Sequence, residues 1–119
     1  MKKILITGTA GFIFSNFIQY VVDKYPEYEY VGVDMVTRFY TLKNKFKHSN
    51  YKFYLADISD QHIMDNIFKL EKPNIIIHGA ASSHVDDSIK DIKPFLRSNI
   101  LGTQCLINSS LQFGVEKFI

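Results

Sequence analysis

Residues 2–17 read KKILITGTAGFIFSNF, a short apolar strand, a glycine-bearing turn and the first turns of a helix. Ile4, Leu5 and Ile6 form the unbroken apolar run of a strand buried on both faces, and Phe14, Phe17, Ile18, Val21 and Val22 follow at helical spacing. A turn between such a strand and a helix aims backbone N–H groups at an anion, with the positive end of the helix dipole behind them. The stretch therefore reads as a nucleotide-binding turn, and a pyrophosphate is the first ligand it suggests.

The spacing is Gly8-x-x-Gly11-x-x-Phe14, with phenylalanine where a third glycine ordinarily lets helix and strand pack closely. Such a side chain either pushes the helix off the sheet or turns into a space its neighbours leave open, and overpacking costs about 1–3 kcal/mol. On this reading Phe14 harms packing more than phosphate contact, and Phe14→Gly is expected to tighten cofactor binding.

Outward from the turn, the first helix should run from about Phe12 to Lys24 and stop before Pro26. Tyr28 to Asp34 alternates as a second strand. Asp34 falls at its end, 20 residues after Phe14, where a carboxylate accepts hydrogen bonds from both hydroxyls of an adenosine ribose. A phosphate on that ribose would meet the carboxylate as a like charge, so Asp34 favours NAD over NADP. Val36 to Asn50 mixes Arg38, Lys43, Lys45, Lys47 and His48 with aromatic residues and carries helical spacing in Leu42 and Phe46. It reads as a solvated connection with a short helix rather than a nucleic-acid patch.

Tyr51 to Ala56 is a third strand, and Asp60 can cap a helix with Ile63, Ile67 and Leu70 on one face. Asn74 to His78 is a fourth strand, opening into the small-residue stretch Gly79-Ala80-Ala81-Ser82-Ser83. Pro94 suits the first turn of a long helix reaching Phe113 and ending at Gly114, after which Val115 to Ile119 begins a fifth strand. This alternation predicts an α/β fold, a Rossmann-type doubly wound parallel sheet of order 3-2-1-4 with a stub of strand 5 outside strand 4. In such a sheet ligands lie beyond the carboxyl ends of the strands, where Gly8 to Gly11, Asp34, Asp57 and Gly79 to Ser83 all fall.

The chain has 119 residues, 46% of them apolar, and a net charge of +2, which fits one soluble domain with a modest core. Its lysines form no basic stripe, so neither nucleic acid nor another polyanion is required as a partner. The single cysteine, Cys105, excludes a disulfide framework and reads as a core residue of a reducing compartment. No apolar run reaches the roughly 18 residues of a membrane span, and the expected location is cytoplasmic.

ITGTAGFIFSNF, the strand-end Asp34, ADISD, HGAASSHVDDSI and PFLRSNILGT follow the order of the extended short-chain dehydrogenase/reductase family, which the chain resembles along essentially its whole length. Its most specific part, Ala80-Ala81-x-Ser83-His84-Val85-Asp86-x-Ser88-Ile89, is similar to the family's nucleotide-sugar 4,6-dehydratases of the dTDP-glucose type and is usually lacking in its epimerases. The resemblance implies that Gly8, Gly11, Phe12 and Ile13 hold the pyrophosphate of NAD, and Asp34, Met35, Val36 and Thr37 its adenine ribose. Asp57 and Ile58 would flank the adenine, while Gly79, Ala80 and Ala81 pass along the cofactor toward nicotinamide. Ser98 stands where a threonine usually touches NAD, Asn99 would brace the site, and Ser83 would approach the sugar nucleotide. Five positions depart from the family pattern: Phe14 replaces a glycine, Met35 a lysine, Gly79 an aromatic residue, Ser82 a polar or acidic one and Asp87 an arginine.

The implied reaction is a redox cycle at the sugar. Hydride leaves C4 for NAD, water is eliminated across C5 and C6, and the hydride returns to C6. Its tyrosine–lysine pair and its aspartate–glutamate pair belong, by resemblance, to the fifth strand and beyond. These 119 residues are then the N-terminal portion of an NAD-binding domain, without catalytic residues or a substrate domain, and inactive alone. The family also implies a homodimer paired through the long helix. Other NAD-dependent sugar-nucleotide epimerases or dehydratases, and an inactive nucleotide-binding fragment, are the alternative readings. Tyr20 and Lys24 mimic the catalytic spacing at the wrong end of the first helix. His78, His84, Asp86 and Asp87 mimic a metal cluster, but hydrogen bonding is their expected role and no metal is expected.

Overall fold

The computed structural model describes residues 1–37, 48–81 and 90–119. Five parallel strands, β1 (Lys3–Thr7), β2 (Glu29–Asp34), β3 (Tyr51–Leu55), β4 (Ile75–His78) and β5 (Lys117–Phe118), form one sheet in the order β3-β2-β1-β4-β5. This is the doubly wound order expected, with β1 central between β2 and β4 and the short β5 outside β4. The helices are α1 (Phe12–Lys24), α2 (Gln61–Glu71) and a long run beginning at Lys93. The short helix expected within Val36 to Asn50 lies largely outside the described residues.

Alternation along the central strands sends apolar side chains to both faces. Leu5, Val31, Val33 and Ile76 pack on one face with Met64, Ile67 and Phe68 of α2 and with Leu106 of the long run. Ile6, Tyr30, Tyr51 and Phe53 pack on the other with Ile18, Val21 and Val22 of α1.

Two helical expectations need correction. In α2 the buried stripe is Met64, Ile67, Phe68 and Glu71, whereas Leu70 is 70% exposed. The helix is turned by about one position because Glu71 is drawn inward at the amino end of the sheet. Its carboxylate accepts from Lys3 Nζ and Lys52 Nζ, each at 2.9 Å, and from the Tyr54 hydroxyl at 2.6 Å. Asp60 does cap this helix, accepting from the Ile63 N–H at 3.2 Å.

The long run is also not one α-helix. It divides into α3 (Lys93–Leu96), a π-helical stretch over Arg97–Gly102 and α4 (Thr103–Gln112). The chain leaves α4 through Gly114, whose φ of +69° is the left-handed conformation expected just past a helix end. No helix among the described residues is long and apolar enough to cross a membrane.

Candidate nucleotide-binding cleft

The turn after β1 is built on Gly8, whose φ is +80°. Its N–H donates to the Val33 carbonyl at 2.8 Å, tying the turn to β2, and the Gly11 N–H donates to the Gly8 carbonyl at 3.0 Å. A Cβ on Gly8 would lie 2.7 Å from the carbonyl carbon and oxygen of Gly79, so only glycine lets β4 approach this closely. Gly11 then opens α1 with no side-chain cap and no acidic residue in the first turn. That leaves the helix N-terminus to an external anion. The side chains of Phe12 and Ile13, in the first turn of α1, are 84% and 71% exposed.

Asp34 faces the same turn from the end of β2. One carboxylate oxygen accepts from the Ala10 N–H at 2.9 Å and the other from the Val36 N–H at 3.3 Å. Two backbone donors fix the carboxylate while leaving lone pairs for further donors such as ribose hydroxyls.

The end of β4 is held by a directed chain of hydrogen bonds. Thr7 Oγ1 accepts from the N–H groups of Gly79 at 3.1 Å and Ala80 at 3.0 Å. Its own proton is thereby directed to His78 Nδ1, 2.8 Å away. His78 Nε2 lies 2.8 Å from Thr103 Oγ1, which itself donates to the Asn99 carbonyl at 2.9 Å. This sequence of donors requires a neutral imidazole carrying its proton on Nε2, and burial lowers the His78 pKa in the same sense. The chain joins β1 and β4 to the π-helical stretch that carries Ser98 and Asn99. Thr7 and Thr103 escaped sequence reasoning as site-building residues, and the relay depends on both.

On the other wall, Arg97 bonds Asp57 at 3.0 Å and the Ser59 hydroxyl at 2.7 Å. Burial alone would raise the Asp57 carboxyl, but the N–H and hydroxyl of Ser59 and the Arg97 guanidinium outweigh it and lower the pKa. A Cβ on Gly102 would run 2.6 Å from Ile58 Cγ1, so the π-helical stretch seats directly on Ile58. Cys105 is half-buried there, its thiol pKa raised by burial and by Asp60, Asp65 and Asp57, which suits a packing residue better than a nucleophile.

These parts enclose a cleft of about 150 Å³ lined by Gly8, Gly11, Asp34, Met35, Ala56, Asp57, Ile58, Gly79, Ala80, Ala81 and Ser98. Ten of the sequence-predicted residues meet there, and Ala56 joins them unforeseen; its N–H donates to the Asp34 carbonyl at 2.9 Å. Phe12, Ile13, Val36 and Thr37 stand outside this lining, and Ser83 lies outside the described residues. So do His84, Asp86 and Asp87. Among the described residues no group of three or more His, Cys, Asp or Glu side chains is placed to hold a metal ion. Tyr20 and Lys24 meet at 2.5 Å at the far end of α1, away from the cleft.

Strand order and helix placement define a Rossmann-type domain, and the cleft opens at the carboxyl edge of its sheet. The sequence model of the GDP-mannose 4,6 dehydratase family matches residues 5–119, and the chain belongs to that family. The dTDP-D-glucose 4,6-dehydratase of Mus musculus is 42% identical over 121 residues, covering 99% of this chain and 34% of the relative. That of Dictyostelium discoideum is 38% identical over 122 residues, covering 100% of this chain and 28% of the relative. Among solved structures, a dTDP-glucose 4,6-dehydratase from Streptomyces venezuelae with NAD bound aligns with a TM-score of 0.84 and 32% identity, over 98% of this chain and 38% of that one. The UDP-Glc/GlcNAc 4-epimerase of Campylobacter jejuni aligns with a TM-score of 0.88 and 30% identity, over 99% of this chain and 36% of that one. The chain spans about a third of the length of the curated dTDP-D-glucose 4,6-dehydratases it matches.

Proposed function

We propose that residues 1–119 bind NAD and serve as the cofactor-binding part of a nucleotide-sugar 4,6-dehydratase acting on a substrate of the dTDP-glucose type. The observation that carries this reading is the convergence of the uncapped α1 N-terminus and the pinned Asp34 carboxylate on one cleft. The first suits a pyrophosphate and the second an unphosphorylated ribose. Ala80, Ala81 and Ser98 would continue the cofactor path, and Ser83 would meet the sugar nucleotide. When bound, NAD supplies a hydride acceptor for the sugar C4 and returns the hydride later in the cycle. The chain's own contribution is to bind and orient: Gly8 and Gly11 keep the turn clear of side chains, Asp34 fixes the ribose, and the Thr7–His78–Thr103 relay holds the floor beneath.

No group in residues 1–119 is assigned to the acid–base steps, and we take this portion alone to be inactive in dehydration, in a cytoplasmic enzyme paired as a homodimer. The segment Ala80 to Ile89 favours a dehydratase over an epimerase, although the backbone aligns with solved structures of both, at TM-scores of 0.88 for the epimerase and 0.84 for the dehydratase. Calorimetric titration with NAD and NADP tests the cofactor reading. NAD should bind at least tenfold more tightly, and Asp34→Ala should weaken NAD by about 10–100-fold, the loss of hydrogen bonds to a charged acceptor. Equal affinity for both cofactors, or an Asp34→Ala variant that binds NAD like wild type, would overturn it.

A further inference from the structure

We propose that Phe14 and Gly79 are one reciprocal unit, in which the ring from α1 occupies the room of a side chain at position 79 and thereby positions the floor of the cofactor cleft. A Cβ built on Gly79 would run into the Phe14 ring, whose carbons are the nearest atoms to it. The backbone does not itself call for glycine there: among the described residues, the glycines with positive φ are Gly8 and Gly114. The ring is what excludes a side chain.

The ring is itself held in place. It packs half-buried against the cluster of Ile6, Ile18 and Val22 and meets Phe17 edge-on, with centroids 5.8 Å apart. Of the two outcomes open to a phenylalanine at this position, it takes the second, turning into a space its neighbour leaves open.

Position 79 matters because it touches the phosphate turn. The Gly79 carbonyl lies 2.7 Å from where a Cβ on Gly8 would be, and the Gly79 and Ala80 N–H groups both donate to Thr7 Oγ1. Any displacement of Gly79 is passed directly to Gly8 and to β1. Phe14 is thus a positioning residue acting through Gly79, and the expected sign of Phe14→Gly reverses. The substitution empties the space above Gly79 and puts a glycine inside α1, so binding weakens instead of tightening.

This inference rests on the cleft being an NAD site, and a double-mutant cycle in the 119-residue chain tests it. NAD affinity is measured by calorimetry, well below the melting temperature of every form, alongside thermal melts. Phe14→Gly and Gly79→Phe should each weaken NAD by about tenfold, and the double variant should return to within about threefold of wild type. Single effects that simply multiply in the double variant would overturn the proposal, as would a double variant that regains melting temperature but not affinity. Should Gly79→Phe fail to fold, Gly79→Ala replaces it: costly beside Phe14, and nearly neutral in a Phe14→Ala background. Equal cost in both backgrounds is the overturning result there. If the wild-type chain itself shows no NAD binding, the reading of the cleft falls and this proposal falls with it, an outcome distinct from a wild type that binds while the pair fails to couple.

Discussion

Glu71 is a carboxylate buried almost completely at the end of α2, and three donors from two strands converge on it. Burial alone would raise its pKa, but the Tyr54 hydroxyl and the ammonium groups of Lys52 and Lys3 outweigh that and lower it from 4.5 to about 2. A folded value below the unfolded one means that its contribution is fully present above pH 4.5 and is lost as pH falls from there toward about 2. Urea denaturation across that window should show stability falling with acid. Glu71→Gln should cost about 3–5 kcal/mol at neutral pH, as when one partner of a buried pair is removed, and flatten the acid slope. A Glu71→Gln variant as stable as wild type at pH 7 would contradict this assignment. Nothing in the local pattern announced this residue, because a glutamate at a helix end ordinarily faces water. The place of Asp34 beside the turn was legible, since strand end and distance from the turn together put its carboxylate there. The fit of Phe14 was not, because the space that admits it is made by Gly79, 65 residues further along the chain.

The elements closest to the glycine turn were the most legible. The span of α1 follows from Gly11 before it and Pro26 after it, and the order of strands follows from the alternation of strand and helix. The π-helical stretch over Arg97–Gly102 was not legible, since its residues have ordinary helical character and its cause is tertiary. Arg97 is bonded to Asp57 and Ser59 while Gly102 seats on Ile58, and Thr103 is bonded to His78 one turn later. π-Helical turns recur at functional sites, and this one delivers Ser98 to the cleft. Thr103→Val removes the acceptor for the His78 Nε2 proton and should destabilise the chain by about 1 kcal/mol, as for a half-buried donor that loses its partner. Thr103→Ser keeps the hydroxyl and should recover most of that loss. Denaturant melts compare the three forms, and a Thr103→Val midpoint equal to wild type would rule out the relay.

Across the whole molecule, the parallel sheet separates two charged centres by the length of its strands. The cleft lies at the carboxyl edge, where the glycine turn after β1, the Asp34 carboxylate and the stretch Gly79 to Ala81 meet. The Lys3–Lys52–Glu71 cluster closes the amino edge and binds the outer helix to the sheet. A second hollow there, lined by Lys3, Glu29, Lys52 and Glu71 among others, has its charges already engaged with one another. On the proposed function the nucleotide binds at the carboxyl edge. Amide chemical shifts of the isotopically labelled 119-residue chain, followed while NAD is added, test that claim most directly. Gly8, Gly11, Phe12, Ile13, Met35, Ala80 and Ala81 should shift together and saturably, with Lys3, Lys52 and Glu71 unmoved; the absence of saturable shifts, or shifts centred on the amino edge, would contradict it.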